Sequence, residues 1–308
     1  MYQLVRAATT IAAILLALPS TIANATGARV FVSGAGTDTG NCARTAPCRS
    51  FGYAITQAGA GGEIVVLDSA GYGTLTIAQS LTITNPGGVE AGVSTSGATA
   101  AITIGGSVPT AVVLRGLTIE GNGVGTNGIL VNPTLSGDVT ATVAIIDCVI
   151  KDFTQDGIHI APTGNVGPLD YVLIDHTRAI NNGGNGIQIV GTLGASIPVS
   201  INETTADYNG TGITFADIAI QNLIVGSHAD YNQSAGIIVG SSSAATLKSS
   251  TAIGNTITGS DDLSNANQVD LFNNNTIGQF DNNGSVLTDG TNNIRVLTGN
   301  ALTKLAPQ

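Results

Sequence analysis

Between residues 112 and 255 one short pattern of apolar and polar positions comes round six times. Each copy reads apolar, x, apolar, x, x, small or apolar, x, small or apolar. The copies are Val112/Leu114/Leu117/Ile119, Val143/Ile145/Cys148/Ile150, Val172/Ile174/Thr177/Ala179, Val199/Ile201/Thr204/Ala206, Asn222/Ile224/Ser227/Ala229 and Ala245/Leu247/Ser250/Ala252. Three residues past the last position stands Asn122, Asn182, Asn209, Asn232 or Asn255, with Phe153 the exception. A Gly-Ile pair follows at 128, 157, 186, 212 and 236. The copies end at 119, 150, 179, 206, 229 and 252, giving periods of 31, 29, 27, 23 and 23 residues. Strand-like alternation repeated at that length, with no helical period, predicts a β-solenoid.

Within a copy the inward phase shifts across the x-x pair, which implies a bend between two short strands. The asparagine suits the next turn, where its side chain can bond backbone and tolerate left-handed dihedrals. Stacked copies predict a ladder of side-chain amides. The Gly-Ile pair opens a third strand, with Ile129, Ile158 and Ile187 inward, then Val131, Ile160 and Ile189. Three strands per coil, stacked parallel, make a parallel β-helix, and the crossover preference makes it right-handed. The fold class expected is all-β, with one short capping helix.

That helix is predicted where Phe51, Ala54, Ile55 and Ala58 share one stripe, before the glycines that end at Gly62. It would cover an end that otherwise exposes strand backbone and core. Strands are expected at 29–33, 64–67, 75–77, 81–83 and 101–104, with irregular closing strands at 268–271 and 294–297. The organisation expected is a leader over 1–25, a cap over 26–62, coils over 63–259 and a polar terminal cap over 260–308.

Composition changes the picture in two places. The formal charge is -10, which disfavours nucleic acid and anionic membranes as partners. Arg6, an apolar run over 7–18 and Ala23-Asn24-Ala25 form an export leader, and no later stretch is long and apolar enough to span a bilayer. In an exported protein, Cys42 and Cys48 in one loop point to a small disulfide. Cys148 falls on an inward position and reads as a buried small hydrophobe.

The rungs, the asparagine column, the N-terminal helix and the leader together resemble the pectin-lyase-like right-handed β-helix superfamily, and most of all its bacterial right-handed β-helix repeat proteins. The resemblance covers roughly residues 28–300 and implies the fold. It implies no single activity, because this architecture carries lyases, hydrolases, tailspikes and adhesins.

Chemistry is expected at the bends and on outward positions, since the core is apolar. Stacking rungs about 4.8 Å apart aligns Asp147, His176 and Glu203 in one column. Asp175 lies beside it, with Arg178 and His228 across the bend. A carboxylate-imidazole-carboxylate column can raise the His176 pKa and supply an acid/base pair. Asp147 and Glu203, two rungs apart, would stand roughly 9–10 Å from each other, near the upper end of the inverting-glycosidase spacing. We take Asp147, His176, Glu203 and Arg178 as candidate catalytic residues, with Asp175, His228, His159 and Gln188 as candidate substrate contacts. His159 points outward between Leu130 and Gln188, with Asp156 in the preceding turn. The polygalacturonase motifs of the superfamily are missing apart from Asp261-Asp262. No calcium-binding nonapeptide accompanies the Asn/Gly turns, so no cofactor is expected, and Ca2+ stays an alternative that no motif supports. The function expected is an exported, monomeric β-helix protein associated with polysaccharide by binding or, if it is an enzyme, by lyase or hydrolase cleavage. A structural or adhesive surface protein is the alternative.

Overall fold

A computed structural model describes residues 27–106, 111–134, 141–163, 169–191, 197–218, 221–240, 242–255, 263–265, 268–272 and 275–304. The expected leader and the Asp261-Asp262 pair lie outside these residues. The described chain winds into a right-handed parallel β-solenoid with three sheets. A twelve-stranded long sheet runs from Arg29–Val32 to Thr303–Lys304. A five-stranded bend sheet runs from Ala70–Gly71 to Arg178–Ile180. Single parallel bridges continue it through Thr205, His228 and Thr251. The third, eleven-stranded return sheet includes Ile129–Val131, Ile158–Ile160 and Asn185–Val190.

Register puts like residues on top of one another. Val30, Ile64, Ile83, Leu114, Ile145, Ile174, Ile201, Ile224, Leu247 and Leu271 form one column of paired positions, all of them buried. Removing each such side chain from water contributes roughly 1.5–3 kcal/mol, so the column is a main source of cohesion. Parallel pairing does not stop where the pattern decays. Gln268–Phe272, Ser285–Thr288 and Thr303–Lys304 extend the long sheet, and Thr276–Asn282 with Asn293–Gly299 extends the return sheet.

Two buried polar ladders tie the rungs together. Asn182 donates its amide to Asn209 Oδ1 at 2.9 Å, Asn209 to Asn232 at 3.3 Å and Asn232 to Asn255 at 2.9 Å. Each acceptor oxygen also takes the backbone N–H of the rung before it, as Asn232 Oδ1 takes Asn209 N at 2.9 Å. The left-handed residue of this turn is not the ladder asparagine but the one before it: Asp152, Asn181, Tyr208, Tyr231 or Gly254. Asn122 departs from the expected column. It is itself left-handed and exposed, and it donates to Thr95 O at 2.9 Å.

The second ladder occupies positions expected to be merely small or apolar. The Thr177 hydroxyl donates to Asp175 O at 3.0 Å and accepts from Cys148 N at 3.3 Å. Thr204, Ser227 and Ser250 repeat this pattern, and the series passes on to Asn275. Cys148 takes the same place with a thiol, its Sγ donating to Ile146 O at 3.3 Å. Burial pushes that thiol up to about 11.

Near the start, the helix Phe51–Ala58 buries Phe51, Ala54 and Ala58. It packs on Arg29–Val32, Gly62–Val66 and Leu75–Ile77. Ser50 caps its first turn by accepting from Tyr53 N at 3.2 Å. Cys42 and Cys48 form a disulfide just before it, with both residues buried. Among the described residues, no helix is long and apolar enough to cross a membrane.

Candidate functional site

The bend between the long sheet and the bend sheet is a single left-handed residue in each of the six repeat copies. Gly116, Asp147, His176, Glu203, Gly226 and Ser249 have φ of 71°, 54°, 47°, 44°, 57° and 51°. The first five donate their N–H to the rung that follows, as Asp147 does to Asp175 O at 3.0 Å and His176 to Asn202 O at 3.1 Å. The bend therefore throws Asp147, His176 and Glu203 outward in one exposed column. The imidazole of His176 bonds neither column carboxylate. Its Nδ1 lies 3.0 Å from Oδ2 of Asp175 on its own rung. That hydrogen bond, the Asp175 charge, and then Asp147 and Glu203 hold the His176 pKa above the usual imidazole value.

Across the bend, Arg178, Thr205 and His228 stack as neighbours. His228 Nδ1 hydrogen-bonds Thr251 Oγ1 at 2.9 Å and lies 3.7 Å from Asp230 Oδ2. Two residues further along the same strands stand Asp207 and Asp230. Both oxygens of Asp230 are engaged, Oδ1 by Ile253 N at 2.9 Å and Oδ2 by the Thr251 hydroxyl at 2.8 Å. Asp207 Oδ1 accepts Asp230 N at 2.8 Å. Burial raises the Asp207 pKa above the usual carboxylate range and the Asp230 charge adds to it. The Asp230 amide, His228 and Arg178 pull the other way. One residue on again, at the left-handed turn, the Tyr208 and Tyr231 rings stack with centroids 5.6 Å apart and planes 13° from parallel.

One solenoid face thus carries Asp147, Asp175, His176, Arg178, Glu203 and His228 together. It also carries Asp207, Asp230, Tyr208 and Tyr231, none of them among the candidates expected from the sequence. A signal for them was present in the tetrapeptide Ala-Asp-Tyr-Asn, which occurs at 206–209 and again at 229–232. His159 and Gln188 are not part of this face. They are register partners on the return sheet, beyond the asparagine turn. There His159 Nδ1 lies 2.6 Å from Asp156 Oδ2, and Asp156 Oδ1 accepts the Asn185 N–H at 2.6 Å. Among the described residues, no group of three or more His, Cys, Asp or Glu side chains is arranged to hold a metal ion.

Winding, register and ladders together define a right-handed parallel β-helix. Residues 127–301 match the family described as the right-handed β-helix region, and the chain belongs to that family. The solenoid is similar to the crystal structure of pectate lyase Pel9A, with a TM-score of 0.64 and 16% identity over 92% of this chain and 79% of that one. No curated protein matches the sequence.

Proposed function

We propose that this chain is an exported β-helix protein that associates with polysaccharide through the outer face running from Asp147 to Tyr231. The observation that carries the proposal is the side-by-side placement of Arg178, His228 and Asp207 on neighbouring rungs. Outward donors and acceptors at rung spacing offer a polyhydroxylated chain repeated hydrogen-bonding partners. The likeness to a pectate lyase fold agrees with this, as fold-level analogy only. Export is supported by the leader-like residues 1–25 and by the Cys42–Cys48 disulfide. The helix Phe51–Ala58, packed on the first strands, serves in this proposal as the cap of the solenoid's N-terminal end.

A cleavage step would draw on His176 as the proton donor, its protonated form favoured by Asp175, with Asp147 and Glu203 as flanking carboxylates. A glycan array tests the association, and lyase and reducing-end assays with and without Ca2+ test cleavage. Binding that is weakened by Arg178→Ala supports the face. No binding across acidic and neutral glycans sinks the proposal and leaves a structural or adhesive surface protein. If cleavage is found, His176→Ala should lower turnover by roughly 10²–10⁴ with the unfolding midpoint unchanged. Unchanged turnover would remove His176 from the chemistry.

A further inference from the structure

The tyrosine pair on this face is costly in a way that the fold does not require. Tyr208 and Tyr231 sit at φ of 59° and 55°, where bulky L side chains crowd their own backbone. Other rungs fill this turn position with Asp152, Asn181 and Gly254, and Asn and Gly are the types that tolerate it best. Nor do the two rings repay the strain by burial, since the residues are 57% and 52% exposed. Their flat stack spans two rungs. The Tyr231 ring packs against the backbone of Gly254, where a Cβ would lie 2.7 Å from the ring. The result is an amphipathic aromatic surface open to solvent.

Its surroundings narrow the ligand. Asp207 stands next to Tyr208 in sequence, with Oδ1 committed to Asp230 N, while its Oδ2 has no hydrogen-bond partner among the described residues. The rungs of this face carry the carboxyls of Asp147, Asp175, Glu203, Asp207 and Asp230 with the guanidinium of Arg178 and the imidazoles of His176 and His228, and the flanking rungs add Arg115 and Lys248 to the column of Asp175. Such an excess of acidic groups repels uronate carboxylates and tolerates uncharged sugars.

We propose that Tyr208 and Tyr231 form an aromatic subsite for an uncharged pyranose ring of a neutral glycan, with Asp207 Oδ2 accepting a hydroxyl from the same sugar. The apolar C–H face of the ring would cover the stack while its polar edge reaches the carboxylate. This inference rests on the polysaccharide association proposed above and specifies its site and ligand class.

The test compares the intact protein with a Tyr208→Asn/Tyr231→Asn double variant. Asparagine already fills the equivalent turn at Asn181, so the variant should fold with an equal or higher unfolding midpoint. Titration calorimetry would use hexasaccharides of β-1,4-glucan, β-1,4-xylan, β-1,4-mannan and α-1,4-galacturonate. The chain has six tyrosines and no tryptophan, so tyrosine fluorescence reads the same binding in the unsubstituted protein. The expected result is binding of at least one neutral hexasaccharide with a change in tyrosine emission, weakened tenfold or more in the double variant. Neutral binding that is unchanged in the variant, or that leaves tyrosine emission unaltered, overturns the subsite while the broader association stands. Binding of the galacturonate alone overturns the ligand class, again without touching the association. Binding of none of the four, with no glycan retained on the array either, overturns both.

Discussion

Asn209 is wholly buried and its side chain joins three rungs: Oδ1 accepts from Asn182 N at 3.0 Å and from Asn182 Nδ2 at 2.9 Å, while Nδ2 donates to Ala179 O at 2.9 Å and Asn232 Oδ1 at 3.3 Å. Replacing it with leucine leaves several of these groups buried without partners, each costing about 1–3 kcal/mol. We expect Asn209→Leu to lower unfolding stability by about 3 kcal/mol or more in urea titrations. Asn122→Gly, at an exposed left-handed position, should change it by less than about 1 kcal/mol. Equal effects would mean that the ladder carries no special cohesion.

The glycine of each Gly-Ile pair answers to the same ladder. A Cβ at Gly186 would lie 2.6 Å from Asn209 Nδ2 and 2.9 Å from Gly212 O, whereas one at Gly71 meets nothing within 4 Å. Gly186→Ala should therefore destabilise by about 1–3 kcal/mol through forced displacement of the next rung, and Gly71→Ala should be close to neutral. Thermal unfolding of the two variants side by side measures this. A neutral Gly186→Ala would show that the rungs can separate freely there.

Cys148 should be silent toward thiol reagents in the folded protein. It is buried, and the same burial pushes its thiol up to about 11, so in the folded protein little of it is thiolate at pH 8. Titration with a chromogenic aromatic disulfide should find no reactive thiol in native protein and one per chain in guanidinium, with Cys42–Cys48 still bonded. Three thiols under denaturing, non-reducing conditions would contradict the disulfide. Fast native labelling would contradict the burial.

Asp207 makes a pH prediction. Its carboxyl, raised by burial, binds a proton more tightly folded than unfolded. Its contribution to stability is then fully present below the ordinary Asp value and lost as pH rises through the raised one. Asp207→Asn keeps an acceptor for Asp230 N and removes the titration. The stability of the variant relative to the unsubstituted protein should thus be more favourable at pH 7 than at pH 3.5. A difference that is flat across that range in thermal unfolding would show that burial does not act on this carboxyl.

Most of the fold was legible because a solenoid writes its coil length directly into the chain. The alternation at Leu114, Ile145 and Ile174 already places these residues inward, and parallel stacking then follows. Asp147, His176 and Glu203 were legible as a column for the same reason, since each is the second residue of its bend. Other features were not legible. The Thr177 hydroxyl looks like a tolerated small residue until the carbonyl of Asp175 is seen 3.0 Å away. Asn122 matches the ladder in sequence and leaves it in space, because its own backbone takes the left-handed turn. The tyrosines are not marked out by composition, since aromatic residues make up only 4% of the chain, yet two are enough when consecutive rungs superpose them.

By itself, then, the sequence determined the period, the inward face, the bends and the parallel stacking, because each depends on positions a few residues apart that recur at a nearly constant spacing. Tertiary structure alone decided which polar groups meet. It turned His176 toward Asp175 rather than toward the carboxylates above and below. It set Asp207 between Arg178, His228 and Asp230, and it laid Tyr208 on Tyr231. Such contacts depend on side-chain direction and on shifts of an ångström or two between rungs, which a one-dimensional pattern does not record.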